Sequence, residues 1–128
     1  MAAVAMLAPM GCSFGGDEEP QPVSGVPKAI VATVDQLGRA IAEQDYATVC
    51  GRLFTEDARR RAGGKDCVAQ LRSSGEDVRR PSIEIRGIDL KDDRATVKVE
   101  TRAEGQARVS DTLELRREDG RWLIEALS

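Results

Sequence analysis

Residues 81–100, PSIEIRGIDLKDDRATVKVE, carry the pattern that decides the fold. Apolar residues recur there at every second position, the period of a half-buried strand. Ile83 and Ile85 alternate with polar neighbours, but the next apolar pair is Ile88 and Leu90. That slip of one residue at Arg86-Gly87 predicts a β-bulge, a place that suits glycine. Asp92-Asp93 reads as a turn, after which Ala95, Val97 and Val99 resume the alternation.

Downstream, Glu104-Gly105-Gln106 turns the chain again, and Val109, Leu113 and Leu115 mark a third strand. Glu118-Asp119-Gly120 gives a hairpin signal. In the last segment, RWLIEAL (121–127), simple alternation puts Trp122 and Ile124 on one face and Leu123 and Leu127 on the other.

Upstream the period lengthens to that of a helix. Pro27 suits a first helical position, and Ile30, Val31, Val34, Leu37 and Ile41 follow at helical spacing. Asp45 reads as the N-cap of a second helix whose apolar face is Tyr46, Val49, Cys50, Leu53 and Phe54. Thr55 caps a short polar helix through Ala62, which Gly63-Gly64 ends. Asp66 caps another, with Cys67, Val68 and Leu71 inward. Helices followed by a four-stranded meander predict an α+β domain over residues 28–128. Its N-terminal helices pack on one face of a curved antiparallel sheet.

The 128 residues fit one such domain plus a tail, with 32% charged and 41% hydrophobic residues, ordinary for a soluble globular domain. A net charge of −3 argues against a nucleic-acid partner, which calls for a basic face. Histidine is absent altogether. Its absence excludes Ser-His-Asp and Cys-His nucleophile pairs and histidine-ligated zinc. It also removes the side chain best matched to proton transfer near neutral pH. No metal or cofactor is expected, and an enzyme built on this chain works with Asp, Glu, Tyr, Lys or Cys.

At the start of the chain, LAPMGC (7–12) closes an uncharged apolar run from Ala2 to Met10. That run is far shorter than the ~20 residues of a membrane-spanning helix and fits the apolar part of a secretory signal. Gly11-Cys12 and the polar tail behind it resemble the lipobox of bacterial lipoproteins. In that family the signal is cut before the cysteine, whose sulfur takes a diacylglycerol. Pro9 stands where the family usually has Leu, and no Lys or Arg precedes Lys28, as a start codon assigned too far downstream would explain. The resemblance implies a signal-peptide remnant at 1–11 and a lipidation site at Cys12. Residues 12–27 then form an acidic, proline-interrupted tether. The expected location is the outer face of the cell membrane, reached by export and held through Cys12.

Lipidation of Cys12 would leave Cys50 and Cys67 as an even pair. Outside the cytosol such a pair is expected to oxidise, stabilising the fold by about 3 kcal/mol on a chain-entropy argument. Two buried free thiols are the cytosolic alternative. A metal site ranks below both, since two cysteines without histidine make a poor tetrahedral set.

The run AIAEQDYATVCGRLFTEDARRR (40–61) resembles the first helices of the nuclear transport factor 2-like superfamily. The ending DTLELRREDGRWLIEAL (111–127) resembles its last two strands, with a Gly-Arg-Trp turn before an apolar strand. The resemblance spans about residues 28–128 and implies a cone, in which a bent sheet wraps on helices around a pocket. The chain also resembles small exported lipoproteins of that superfamily, which implies a disulfide between Cys50 and Cys67. Relatives include isomerases, dehydratases, polyketide cyclases and many non-enzymatic binding modules, and many pair through the open sheet, so a homodimer is a further expectation.

Asp111 is the most informative candidate residue. Counting by twos from Val109 to Leu115 puts it on the apolar face, where a carboxylate is costly unless paired or wet. It is either a pocket carboxylate able to act as a base or, if the strand starts or bulges near Ser110, a rim residue. Tyr46 on the inward helix face is either a source of a pocket hydroxyl or a core aromatic. Trp122 either lines the pocket or packs on the helices. Arg59-Arg60-Arg61 and Arg79-Arg80 stand beside Glu56, Asp57, Glu76 and Asp77, which makes a solvated mixed surface the default. Two functional expectations follow. One is an envelope lipoprotein whose domain binds a small molecule or an envelope protein without catalysis. The alternative is an isomerase or cyclase with Asp111 as general base and Tyr46 as hydrogen-bond donor.

Overall fold

The computed structural model describes residues 26–128. The expected signal remnant, the Cys12 anchor and the tether up to residue 25 lie outside the described residues. Helix α1 (Val26–Ala42) buries Ile30, Val34, Leu37 and Ala40 on one stripe. Gln44 then takes a left-handed φ of 59°, and Asp45 Oδ1 accepts from the Thr48 N–H at 3.3 Å to start α2 (Tyr46–Thr48).

The predicted second helix does not run on as an α-helix. Val49–Leu53 forms a π-helical turn, closed where the Phe54 N–H donates to the Val49 carbonyl at 3.0 Å. Val49, Cys50 and Leu53 are all buried within this wider turn. Thr55 caps α3 (Glu56–Arg61) as expected, its Oγ1 accepting from the Ala58 N–H at 3.0 Å. Asp66 stands at the start of α4 (Cys67–Ser74) but makes no side-chain cap. A 3-10 turn at Gly64–Asp66 leads straight into the helix instead, and the Asp66 N–H donates to the Gly63 carbonyl at 2.9 Å. Gly63 has a φ of 124°, a conformation that favours glycine.

Strands β1 (Ser82–Lys91), β2 (Arg94–Arg102), β3 (Val109–Glu118) and β4 (Arg121–Leu127) pair antiparallel in chain order. The predicted bulge is present, with the register shifting between Ile85 and Gly87 and Arg86 as the extra residue. Because of it, Ile83, Ile85 and Ile88 all pack against the core. A second bulge was not expected. Glu114 lies opposite Ala126 and Leu115 opposite Ile124, so Glu125 is inserted between them. This corrects the reading of RWLIEAL: Leu127 pairs with the buried Leu113 and shares the face of Trp122 and Ile124.

The core lies between α1, the π-helical turn and the inner face of the sheet, where Val97, Val99, Leu113, Leu115 and Ile124 are buried. Burying each such side chain contributes roughly 1.5–3 kcal/mol. Thr33, also buried, donates from its hydroxyl to the Trp122 carbonyl at 2.9 Å and ties α1 to β4. The Thr55 N–H donates to the Ile124 carbonyl at 2.9 Å, so the segment between α2 and α3 covers part of the β4 edge. Cys50 and Cys67 form a disulfide with their Cα atoms 6.1 Å apart, joining the π-helical turn to the start of α4.

Candidate functional site

A cavity of about 390 Å³ opens at one end of the sheet, in the volume range of small-molecule sites. Leu37 and Ile41 of α1 form one wall, and Tyr46, Val49 and Phe54 a second. Leu71, Gly75 and Val78, from α4 and the segment after it, close a third side. The sheet supplies the floor, with Val99 and Leu113 among its residues. Leu127 reaches this wall because of the bulge at Glu125, and at 64% exposure it forms part of the rim.

Among the described residues four polar ones belong to the lining: Tyr46, Ser74, Thr101 and Asp111. Thr101 is partly engaged, its hydroxyl donating to the Val109 carbonyl at 3.4 Å. Asp111 pairs with the buried Val99, which puts it on the inner face, half-buried, as the alternation predicts. No bulge displaces it near Ser110, since Ser110 and Val109 stay in register with Glu100 and Thr101. Tyr46 is buried and lies against Gly75, where an added Cβ would collide with its hydroxyl. The two candidate residues therefore line one cavity.

Trp122 does not line it. It is buried in the core, Arg117 lies 5.8 Å from its ring centre, and its pairing with Arg117 puts it near the opposite end of β4 from Leu127. The pocket reading of Trp122 is corrected on this ground, and its side chain belongs to the core instead.

The charged clusters lie elsewhere. On α3, Arg60 bonds Asp57 and holds its carboxyl below the ordinary aspartate range, while Arg61 donates to the Glu125 carbonyl oxygen. On the sheet, Arg86 Nη2 donates to Glu100 Oε1 at 2.5 Å, and that bond lowers the Glu100 pKa. Among the described residues no three His, Cys, Asp or Glu side chains gather in a way that could hold a metal ion.

No protein-family model matches the sequence, and no curated protein matches it. Solved structures do match in shape. An NTF-2 like protein of unknown function from Silicibacter pomeroyi has a TM-score of 0.60 at 20% identity, over 78% of this chain and 90% of its own. A protein from Sinorhizobium meliloti, provisionally described as a polyketide cyclase, has a TM-score of 0.55 at 15% identity, over 78% and 98%. A de novo designed NTF2 fold protein has a TM-score of 0.52 at 16% identity, over 77% and 83%. The chain has the nuclear transport factor 2-like fold, helices followed by a curved four-stranded antiparallel sheet. At these identities the likeness is one of fold, and a fold by itself specifies no activity.

Proposed function

We propose that the domain is a binding module that takes an apolar small molecule into the cone cavity, displayed outside the cell membrane by a lipid on Cys12. The observation that carries the binding reading is the cavity itself: about 390 Å³, walled by aliphatic and aromatic side chains, with a few polar groups to orient a ligand. The anchor reading rests on the Gly11-Cys12 pair and the tether behind it. Calorimetric titration of the full chain with decanol tests the first part. Saturable binding is expected, and Ser74→Trp, which adds a large ring at an exposed position of the lining, is expected to weaken it in a chain that still unfolds cooperatively. Binding that ignores the added ring would place the ligand elsewhere and refute the proposal. Mass spectrometry of the chain from a membrane fraction tests the second, with an acylated Cys12 as its new N-terminus expected and intact residues 1–11 ruling it out.

A second reading is favoured by one observation, that Asp111 and Tyr46 line the same cavity. In it, Asp111 removes a proton next to a carbonyl and the Tyr46 hydroxyl donates to the developing oxyanion, as in isomerase and cyclase chemistry. An enolisable ketone that exchanges its α-hydrogens for solvent deuterium in the presence of the protein, with the rate lost in Asp111→Asn, would establish this reading over pure binding.

A further inference from the structure

We propose that the cavity selects a cationic amphiphile, an apolar body carrying a protonated amine. This inference rests on the binding reading above and adds the chemical class of the ligand. Among the described residues Asp111 is the only charged one in the cavity lining, and neither Lys nor Arg joins it there. Its carboxylate takes part in no ion pair among the described residues, unlike Glu100 and Asp93, which hold arginines on other faces. It stands on an apolar wall opposite Val99. Half-buried there, the carboxylate has no cationic side chain among the described residues to balance its charge. An ammonium group supplies the missing charge and up to three donors. The rings of Tyr46 and Phe54 in the same lining add faces that attract a cation. An anionic amphiphile meets the opposite situation, since its own carboxylate would enter beside Asp111 with no cation between them. The exposed Leu127 and Val109, both on the inner face at this end of the sheet, favour a ligand with an alkyl body over a fully polar one.

The test is calorimetric titration of the full chain at neutral pH with decylammonium, decanol and decanoate, which share an alkyl body and differ in head charge. Decylammonium is expected to bind about tenfold or more tightly than decanol, the scale of a hydrogen bond to a charged group. Decanoate is expected to bind more weakly than decanol. Asp111→Asn is expected to erase the preference, so that decylammonium binds no more tightly than decanol, and Asp111→Glu to keep it. If Asp111→Asn does not fold, salt decides on the unaltered chain, because a preference set by charge shrinks as ionic strength rises. Equal binding of decylammonium and decanol, a salt-independent preference, or a preference that survives in folded Asp111→Asn overturns the inference and leaves the binding reading standing. Saturable binding by none of the three removes both.

Discussion

A phenol hydroxyl and an absent methyl group set the fit between α2 and the end of α4. Gly75 has an ordinary φ, so its backbone would accept alanine, but the added Cβ would run into the hydroxyl of Tyr46 and approach its ring carbon within 3.3 Å. Tyr46 is buried, so the strain has no cheap outlet. Gly75→Ala is expected to destabilise the fold by about 1–3 kcal/mol in urea denaturation. Adding Tyr46→Phe is expected to recover most of that loss; a double variant no better than Gly75→Ala would show that the clash is not the cause. The sequence told the face of each of these residues and not their depth. Alternation placed Asp111 inward and helical spacing placed Tyr46 inward, and both are so. Nothing local to residues 46, 75 and 111 says that they meet at one end of the molecule while Trp122 sits away from them, because that depends on where each element crosses the sheet.

The two bulges differ in how visible they are. The one at Arg86 breaks the apolar period of β1 and is legible from the sequence alone. The one at Glu125 is not, because RWLIEAL scans as unbroken alternation and only the pairing with β3 reveals the inserted residue. The π-helical turn is hidden for a similar reason, since an apolar face spaced i, i+3, i+4, i+7 and i+8 also suits an α-helix. The β1 bulge has an electrostatic role as well. Glu84 and Glu100 lie directly opposite each other on β1 and β2, a repulsive arrangement. The inserted Arg86 contacts both, Glu84 at 3.4 Å and Glu100 at 2.5 Å. Its hydrogen bond holds the Glu100 carboxyl below the ordinary value of 4.5, and Arg108 adds to this. A lowered carboxylate pKa in the folded state stabilises at pH above the unfolded value, and the stabilisation fades as pH falls through the folded one. Arg86→Gln is therefore expected to be less stable than the unaltered chain at neutral pH, with the two converging in acid. Urea midpoints measured over a pH series check this, and a gap that persists unchanged at low pH would rule it out.

At the scale of the molecule, the change of period from helical to alternating at residue 81 sufficed to read helices followed by a meander, and the structure has that order. The disulfide joins residues separated by 17 positions, a loop whose closure stabilises by about 3 kcal/mol on the chain-entropy argument. Replacing both cysteines, Cys50→Ala with Cys67→Ala, is expected to cost roughly that much. A urea titration of the double variant against the oxidised chain measures it, and equal midpoints would show that the crosslink leaves the folded state no better off. Both sulfurs precede every strand in the chain. Both residues of the pair sit in the helical half, so the crosslink ties none of the strands directly. Closed, it restricts the unfolded chain of the helical half and leaves the strands to pair through their own short turns. The sheet thus packs against helices whose relative positions a covalent bond restricts.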